Sequence, residues 1–418
     1  MKVRPIILCG GEGTRLWDNK KNIKPKQFIN FGSWTLFDQT LKRIKNSLFD
    51  YPIISTNRNY EKKIRNILKK NNFKKYKIVL EPKKKNTAPA ILSAVFANIF
   101  SDKNKFKNSI NWNEPLIFLS SDHYIEKKEI FMNTIKKHVK YLTDKNIFLF
   151  GVKPNMPSSE YGYILMKKNK NIFNVKKFLE KPSLSLSKKI IKKGGYWNSG
   201  MFLLNTISVI NNYKKYSPGI YNILHNIFLN CKSKTKVINK KIYVIDNKLF
   251  KNLTSVSFDY SILEKADDIN IIKLNIPWSD LGSWKEILNI FYKKRNTYIS
   301  NKNVFFRPWG KYTNLFKGEN FLIKEIYVKS KAKLSLQKHF HRSEHWLVKK
   351  GLAHITLNNK IIKKKIDESI FIPKGSIHRV ENKSSKPLII YEAQIGKILK
   401  ESDIVRYEDI YGRAKSVF

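Results

Sequence analysis

The chain reads as an α/β domain built on a mostly parallel sheet, followed by an all-β domain. Three observations carry that reading. Over roughly the first 150 residues, short apolar runs alternate with amphipathic stretches, the pattern of strands joined by crossover helices. The turns that close these runs hold glycine, aspartate and histidine, where ligands of such sheets bind. From residue 304 onward, short apolar runs separated by turn residues replace the helical periodicity, as in a β-barrel or sandwich.

Pro5-Ile6-Ile7-Leu8-Cys9 is a buried strand. Gly10-Gly11-Glu12-Gly13-Thr14-Arg15 follows it. Glycines let the backbone turn sharply and bring its N–H groups to an anion, Arg15 adds a positive fork, and Lys26 a second charge. This suits a triphosphate. The same glycines suit an ordinary tight turn, and the spacing is neither a dinucleotide fingerprint nor a P-loop. Residues 34–47 form a helix with Leu36, Phe37, Thr40, Leu41 and Ile44 on one face. Strands follow at 51–55 and 77–80, with a helix over 60–70 between them. Thr87 caps a helix running to Phe100, with Pro89 in its first turn. A strand over 116–119 leads to Ser121-Asp122-His123, then come a helix over 131–142 and a strand over 147–152. Residues 161–166 and 171–179 form a β pair, Tyr196 to Phe202 is a turn entering a strand, and 206–250 reads as helical. Trp278 to Trp284 is a compact loop, and 286–303 a linker between a first domain, 1–285, and a second, 304–418.

The net charge of +50 invites a nucleic-acid or anionic-membrane partner. The lysines, however, are spread along the whole chain and accompany Asn, Ile, Phe and Tyr, the residues of A/T-rich codons. Mutational bias therefore explains the charge without a polyanion, and neither nucleic acid nor membrane is the expected partner. No apolar run is long enough for a membrane-spanning helix, and the first residues lack a signal-peptide core. The two cysteines, Cys9 and Cys231, argue against a disulfide framework and fit a reducing cytoplasm.

Asp122 and Asp280 each close an apolar or aromatic segment, and two carboxylates converging near a triphosphate would hold Mg²⁺. At this point a resemblance emerges. Residues 10–17 (GGEGTRLW), 25–28 (PKQF), Glu81-Pro82 with Asn86-Thr87-Ala88-Pro89-Ala90, Ser121-Asp122-His123, Tyr161-Gly162-Tyr163-Ile164, 178–182 (FLEKP), 197–202 (WNSGMF) and 280–284 (DLGSW) stand in the order of the sugar-nucleotide pyrophosphorylases. They are most similar to the mannose-1-phosphate guanylyltransferases. The resemblance implies a Rossmann-like nucleotidyltransferase domain. It implies that Gly10, Gly11, Gly13, Thr14 and Arg15 bind the GTP phosphates, with Glu81, Asn86 and Thr87 also on the nucleotide side. Lys26 would neutralise phosphate charge, and Asp122 and Asp280 would hold Mg²⁺. Gly162, Glu180, Lys181 and Asn198 would bind the sugar.

A second constellation lies past 304. Gln337-x-His339 puts two side chains on one strand face. Glu344 follows, and His378 lies in Pro373-x-Gly375-x-x-His378. Gln, His, Glu and His suit Zn²⁺ or another divalent ion. The spacing resembles the two cupin motifs (a double-stranded β-helix), with Gln337 in place of the first histidine. Residues 307–312 (RPWGKY), Leu334 to Gln337, Glu344-His345-Trp346, and 403–409 with Tyr411-Gly412-Arg413 resemble the type II mannose-6-phosphate isomerase domain. That implies interconversion of fructose 6-phosphate and mannose 6-phosphate. His341 is the candidate general base and Arg406 or Arg413 the candidate phosphate anchor. The guanylyltransferase activity alone, with a structural or regulatory cupin, is the alternative, and a polyanion-binding protein a remote one. A homo-oligomer fits the resemblance.

Three departures stand out. Asp18-Asn19-Lys20-Lys21 replaces the family's Pro-Leu-Ser-Arg. Lys331 and Asp367 stand where the cupin motifs have glycine. Only Lys285 to Phe306 joins the two parts, where the family has a longer segment.

Overall fold

A computed structural model describes residues 1–11, 13, 16, 25–29, 34–100, 110–168, 173–229, 235–238, 241–293, 304–318 and 320–412. Thr14, Arg15, the departure at 18–21, Cys231 and Arg413 lie outside them. The chain divides into two compact units, Met1–Glu12 with Leu36–Asp280, and Gly13–Thr35 with Leu281–Phe418.

The first unit holds strands β1 (Arg4–Cys9), β2 (Ile53–Asn57), β3 (Lys77–Glu81), β4 (Pro115–Ser120), β5 (Tyr124–Ile125), β6 (Ile147–Val152), β7 (Tyr163–Lys168), β8 (Phe173–Leu179), β9 (Tyr196–Asn205), β10 (Thr235–Ile238), β11 (Ile242–Ile245), β12 (Ile269–Lys273) and β13 (Trp278–Ser279). Its helices are α1 (Leu36–Ile44), α2 (Glu61–Lys70), α3 (Thr87–Ile99), α4 (Lys128–Val139), α5 (Leu184–Lys192), α6 (Thr206–Tyr216), α7 (Pro218–Leu229) and α8 (Asn247–Phe250). Eleven strands form one mixed sheet in the order β10-β11-β3-β2-β1-β4-β9-β6-β12-β8-β7. β11, β3, β2, β1 and β4 run parallel, while β9 lies antiparallel to β4, β6 and β7. β1 is flanked by β2 on one side and β4 on the other, so the strand order reverses there and a crevice opens beyond their carboxyl ends.

Side chains alternate along these strands. Ile6, Ile53 and Phe118 join a core with Leu92, Phe96, Tyr213, Leu224 and Phe228 of α3, α6 and α7. The buried Leu36, Phe37 and Leu41 of α1, Ile64 and Leu68 of α2, and Phe131 and Ile135 of α4 are outside that cluster.

Several elements differ from the sequence expectation. The cap of α3 is Asn86, not Thr87. Asn86 has φ 68° with ψ −171°, a strained backbone region otherwise nearly reserved for glycine, and its side chain accepts from the Thr87 N–H. The Thr87 hydroxyl instead accepts from the N–H of Phe258 at 2.8 Å. Tyr196 to Phe202 is not a turn but the first part of β9, a ten-residue strand held by β7, β6 and β4. Among the described residues, the stretch 206–250 is helical over Thr206–Tyr216, Pro218–Leu229 and Asn247–Phe250. Between the last two, β10 and β11 form an antiparallel hairpin, with Ile242, Tyr243 and Ile245 buried at the sheet edge.

The second unit contains helix α9 (Trp284–Lys293) and strands β14 (Val304–Arg307), β15 (Gly310–Lys317), β16 (Phe321–Val328), β17 (Leu336–Lys338), β18 (Arg342–Lys350), β19 (Ala353–Leu357), β20 (Lys360–Lys364), β21 (Ser369–Ile372), β22 (His378–Glu381), β23 (Leu388–Gly396) and β24 (Val405–Glu408). A six-stranded sheet, β14-β15-β16-β23-β18-β21, and a five-stranded one, β20-β19-β22-β17-β24, are antiparallel throughout. Trp309, Ile326, Trp346, Val348, Ile355, Val380 and Ile390 form one core with side chains from both sheets. The stretch read as a linker is helical up to Lys293. Its apolar spacing buries Trp284, Ile287 and Leu288, and the Trp284 ring lies 5.5 Å from that of Phe321.

Candidate functional sites

In the first unit, the carboxyl ends of the sheet carry most of the residues singled out in the sequence. Gly10 and Gly11 leave β1 with open space beside their Cα atoms. Ser121 follows β4 and is tied back to β1 by its N–H to Leu8 O. β5 pairs with β13, Tyr124 opposite Ser279. Asp280 follows β13 directly, and Asp122 stands two residues before β5. Asp280 is nearly buried, and its Oδ1 accepts from the Tyr161 hydroxyl at 2.7 Å. The His123 ring accepts from the Trp278 indole N–H at 3.3 Å. His123 O accepts from the buried guanidinium of Arg43, whose pKa burial pulls down to about 10.

The sugar-side residues converge more tightly. Asn198 N–H donates to Gly162 O at 2.7 Å. A Cβ on Gly162 would stand 2.5 Å from Glu180 Oε2, 3.1 Å from Phe178 Cζ and 3.4 Å from Asn198 Cβ, so a side chain there would displace the Glu180 carboxylate. Gly162, Glu180, Asn198, Tyr161, His123 and Asp280 all line one cleft. Burial, then the charge of Asp259, pushes the Glu180 carboxyl up to about 7. Lys181, at φ 45°, and Leu281, at φ 50°, hold left-handed backbone beside Glu180 and Asp280, a conformation that costs energy in non-glycine residues. Glu81 ends β3, buried, and accepts from the Ser55 hydroxyl at 2.6 Å. Burial pushes its carboxyl up to about 7.

Gly13 and Lys26 belong to the second unit and pack together there. Gly13 has φ 64°, and a Cβ on it would stand 2.7 Å from Lys26 Cβ. Lys26 is buried in a 3₁₀ turn.

Also within the second unit, His339 follows β17, Glu344 lies on β18 and His378 opens β22. All three are buried, and their ligand atoms lie within 4.8 Å of one another. His339 Nδ1 hydrogen-bonds Asp403 O at 3.1 Å and His378 Nδ1 hydrogen-bonds Ser376 O at 2.9 Å, which fixes both rings with Nε2 toward Glu344. His378 Nε2 is buried without a hydrogen-bond partner. Burial opposes ionisation of Glu344, but the His339 and His378 imidazoles, 3.2 and 3.5 Å from its oxygens, win and hold its carboxyl well below the usual range. Two imidazole nitrogens and a carboxylate suit a divalent transition metal. Gln337 pairs in register with His378. Arg342 also reaches into this group, its Nε 3.2 Å from Glu344 Oε1 and one terminal nitrogen 3.2 Å from His339 Nε2. His341 is not brought to the triad's ligand atoms: it is exposed and bonded to Asp403 at 2.7 Å. A neighbouring cavity is lined by Arg307, Lys324, Gln337, Arg342, Lys400 and Arg406 together with Glu392 and Glu401.

Residues the sequence reading missed include Asp259, which accepts from Asn198, and Asp403, which accepts from the N–H groups of Phe340 and His341. Glu392 and Gln394 were visible in principle, as two polar residues two apart within the apolar strand β23.

Residues 4–297 match the nucleotidyl transferase family, and residues 293–409 match the mannose-6-phosphate isomerase C-terminal family. The chain is 29% identical to a mannose-1-phosphate guanylyltransferase of Salmonella muenchen, over 97% of this chain and 98% of that one. It is 30% identical to the xanthan biosynthesis protein XanB of Xanthomonas campestris, over 98% of this chain and 99% of that one. A crystal structure of mannose-6-phosphate isomerase from Helicobacter pylori superimposes with a TM-score of 0.55 at 28% identity, covering 67% of this chain and all of that one.

Proposed function

The chain belongs to the nucleotidyl transferase family, and on that premise we propose that residues 1–285 transfer GMP from GTP to mannose 1-phosphate, giving GDP-mannose and pyrophosphate. We further propose that residues 304–418 interconvert fructose 6-phosphate and mannose 6-phosphate, both activities serving surface-polysaccharide synthesis in the cytoplasm. The observation that carries the first activity is the convergence of Gly162, Glu180 and Asn198 beside the Tyr161-held Asp280, in one cleft at the carboxyl ends of the sheet.

Glu180 offers acceptors and Asn198 a donor to neighbouring sugar hydroxyls. Gly162 lets the two approach each other. The sugar held there presents its phosphate oxygen to the α-phosphorus of GTP for in-line attack, and pyrophosphate leaves. Such transfer needs positioning and charge stabilisation rather than a covalent nucleophile. Arg15 and Lys26, with the Gly10, Gly11, Gly13 and Thr14 backbone, are assigned to phosphate from the sequence pattern. Glu81, Asn86 and Thr87 are assigned to the nucleotide and Lys181 to the sugar side on the same basis. Asp122 and Asp280 would hold Mg²⁺, which neutralises phosphate charge when bound.

For the isomerase, Gln337, His339, Glu344 and His378 would hold Zn²⁺ or a similar ion, whose role is to polarise the sugar carbonyl. The cations lining the adjacent cavity suit a sugar phosphate, and His341 remains the candidate base. One observation favours a guanylyltransferase with a structural β domain instead: Arg342 already rests on two of the three ligand atoms.

The first test is a product assay with GTP, ATP, UTP and dTTP against mannose 1-phosphate and glucose 1-phosphate. GDP-mannose as the main product is expected, and no nucleotide sugar from any pair overturns the reading. Asp280→Asn should abolish transfer and spare isomerisation, and His339→Ala the reverse. Absence of fructose 6-phosphate conversion with every divalent metal leaves the structural alternative.

A further inference from the structure

Asn198 has both ends of its amide committed. Its Oδ1 accepts from the Gly200 N–H at 3.1 Å, and its Nδ2 donates to Asp259 Oδ1 at 2.8 Å. A reversed amide would set oxygen against the Asp259 carboxylate and NH₂ against the Gly200 N–H, so the orientation is determined. Asp259, like Asn198, lines the sugar-side cleft. We propose that Asp259 is a positioning residue of the sugar subsite, holding the Asn198 amide with its second N–H aimed at a hydroxyl of the sugar 1-phosphate. This rests on the transferase reading given above.

The surroundings argue against a merely structural role. Asp259 opens a one-turn π-helix, Asp259–Leu263, closed by Glu264 N–H to Asp259 O at 3.0 Å. Such turns are rare and concentrate at functional sites. The segment before it is laced to the first turn of α3, by Phe258 N–H to the Thr87 hydroxyl and by Ala88 N–H to Val256 O. The carboxylate therefore hangs from a rigid mount.

It also stands among other acids. Asp259 and Glu264 both raise the cost of ionising Glu180, and Glu264 does the same to Asp259, with Lys181 the compensating charge; the hydroxyls of Tyr213 and Tyr260 are nearby. Burial first, and then Glu264, leaves the Asp259 carboxyl at about 6. A third acid beside two others is an unfavourable way to stabilise a fold, since a neutral acceptor would hold Asn198 at less electrostatic cost. An amide that must be pinned with one N–H left for the sugar gives an acceptor at this position a reason to be there.

The test is steady-state kinetics with GTP and mannose 1-phosphate on the full chain and its Asp259→Ala, Asp259→Asn, Asn198→Ala and Asn198→Ala/Asp259→Ala variants. Asp259→Ala should raise KM for mannose 1-phosphate about tenfold or more, with KM for GTP and kcat within about twofold. Asp259→Asn keeps an acceptor and should stay within about threefold of the parent. The double variant should be no worse than Asn198→Ala, since the two residues act as one unit. If Asp259→Ala fails to fold, Asp259→Leu, similar in volume and without an acceptor, carries the same expectation. An unchanged sugar KM, equal rises in both KM values, full additivity, or an Asp259→Asn as impaired as Asp259→Ala each overturns the proposal. A parent chain that makes no nucleotide sugar overturns the transferase reading itself, and this proposal with it.

Discussion

Glu81 shows how far a single residue can be read. Its place after an apolar strand and before Pro82 was plain in the sequence, but its protonation was not, because burial and the Ser55 hydroxyl are set by the fold. With its carboxyl at about 7 in the folded chain and near 4.5 unfolded, the native state binds more protons between those values. Its stabilising proton is fully present below about pH 4.5 and lost as pH rises through 7. Glu81→Gln keeps the acceptor for Ser55 and removes that penalty. It should unfold less readily than the parent at pH 8, by on the order of 1–3 kcal/mol, and match it near pH 4.5. Denaturant melts at the two pH values decide this, and an equal gap at both would refute it. The same limit on legibility applies to Asp259: one acid in Ser257-Phe258-Asp259-Tyr260 carries no local mark, and only the fold brings it to Asn198.

Among elements, regular strands were the most legible and the hairpin β10–β11 the least. The run Thr235 to Ile245 is so rich in lysine that helix and strand periodicities look alike. Turns were legible where a glycine was missing. Lys331 and Asp367 stand where the cupin pattern has glycine, and both adopt left-handed backbone, φ 56° and 64°. The turns have thus kept their shape and accepted a side chain in it. Lys331 lies on the surface between β16 and β17, its ammonium bonded to Lys383 O. Lys331→Gly should therefore raise stability by about 0.5–1 kcal/mol, seen as a higher melting temperature. A lower midpoint would mean that the lysine's hydrogen bond outweighs the backbone strain.

For the molecule as a whole, the two constellations are chemically separate. His339, Glu344 and His378 were all named in the sequence, by strand periodicity taken together with the resemblance to the cupin motifs. Arg342 was not read as their neighbour, because residues three positions from His339 need not face it until the β17–β18 turn is known. If the triad takes a divalent ion, Zn²⁺ added to chelator-treated protein should raise its melting temperature, and His378→Ala should abolish the rise. No rise in the parent would favour Arg342 as the group's permanent cation. A handful of lysines and arginines serve the two constellations; the rest of the large positive charge is spread along the chain, in keeping with a compositional origin.

That origin bears on Gly162 in another way. A genome drifting toward A and T presses on glycine, whose codons begin with two guanines. A change at the first or second base either ends the chain or adds a Cβ, and at Gly162 a Cβ crowds the Glu180 carboxylate and the Phe178 ring. Gly10 and Gly11, with open space around them, are under no such steric bar. In sequences drifting further along this path, Gly162 should therefore be the last of the three to change, and its loss would date the end of the sugar site.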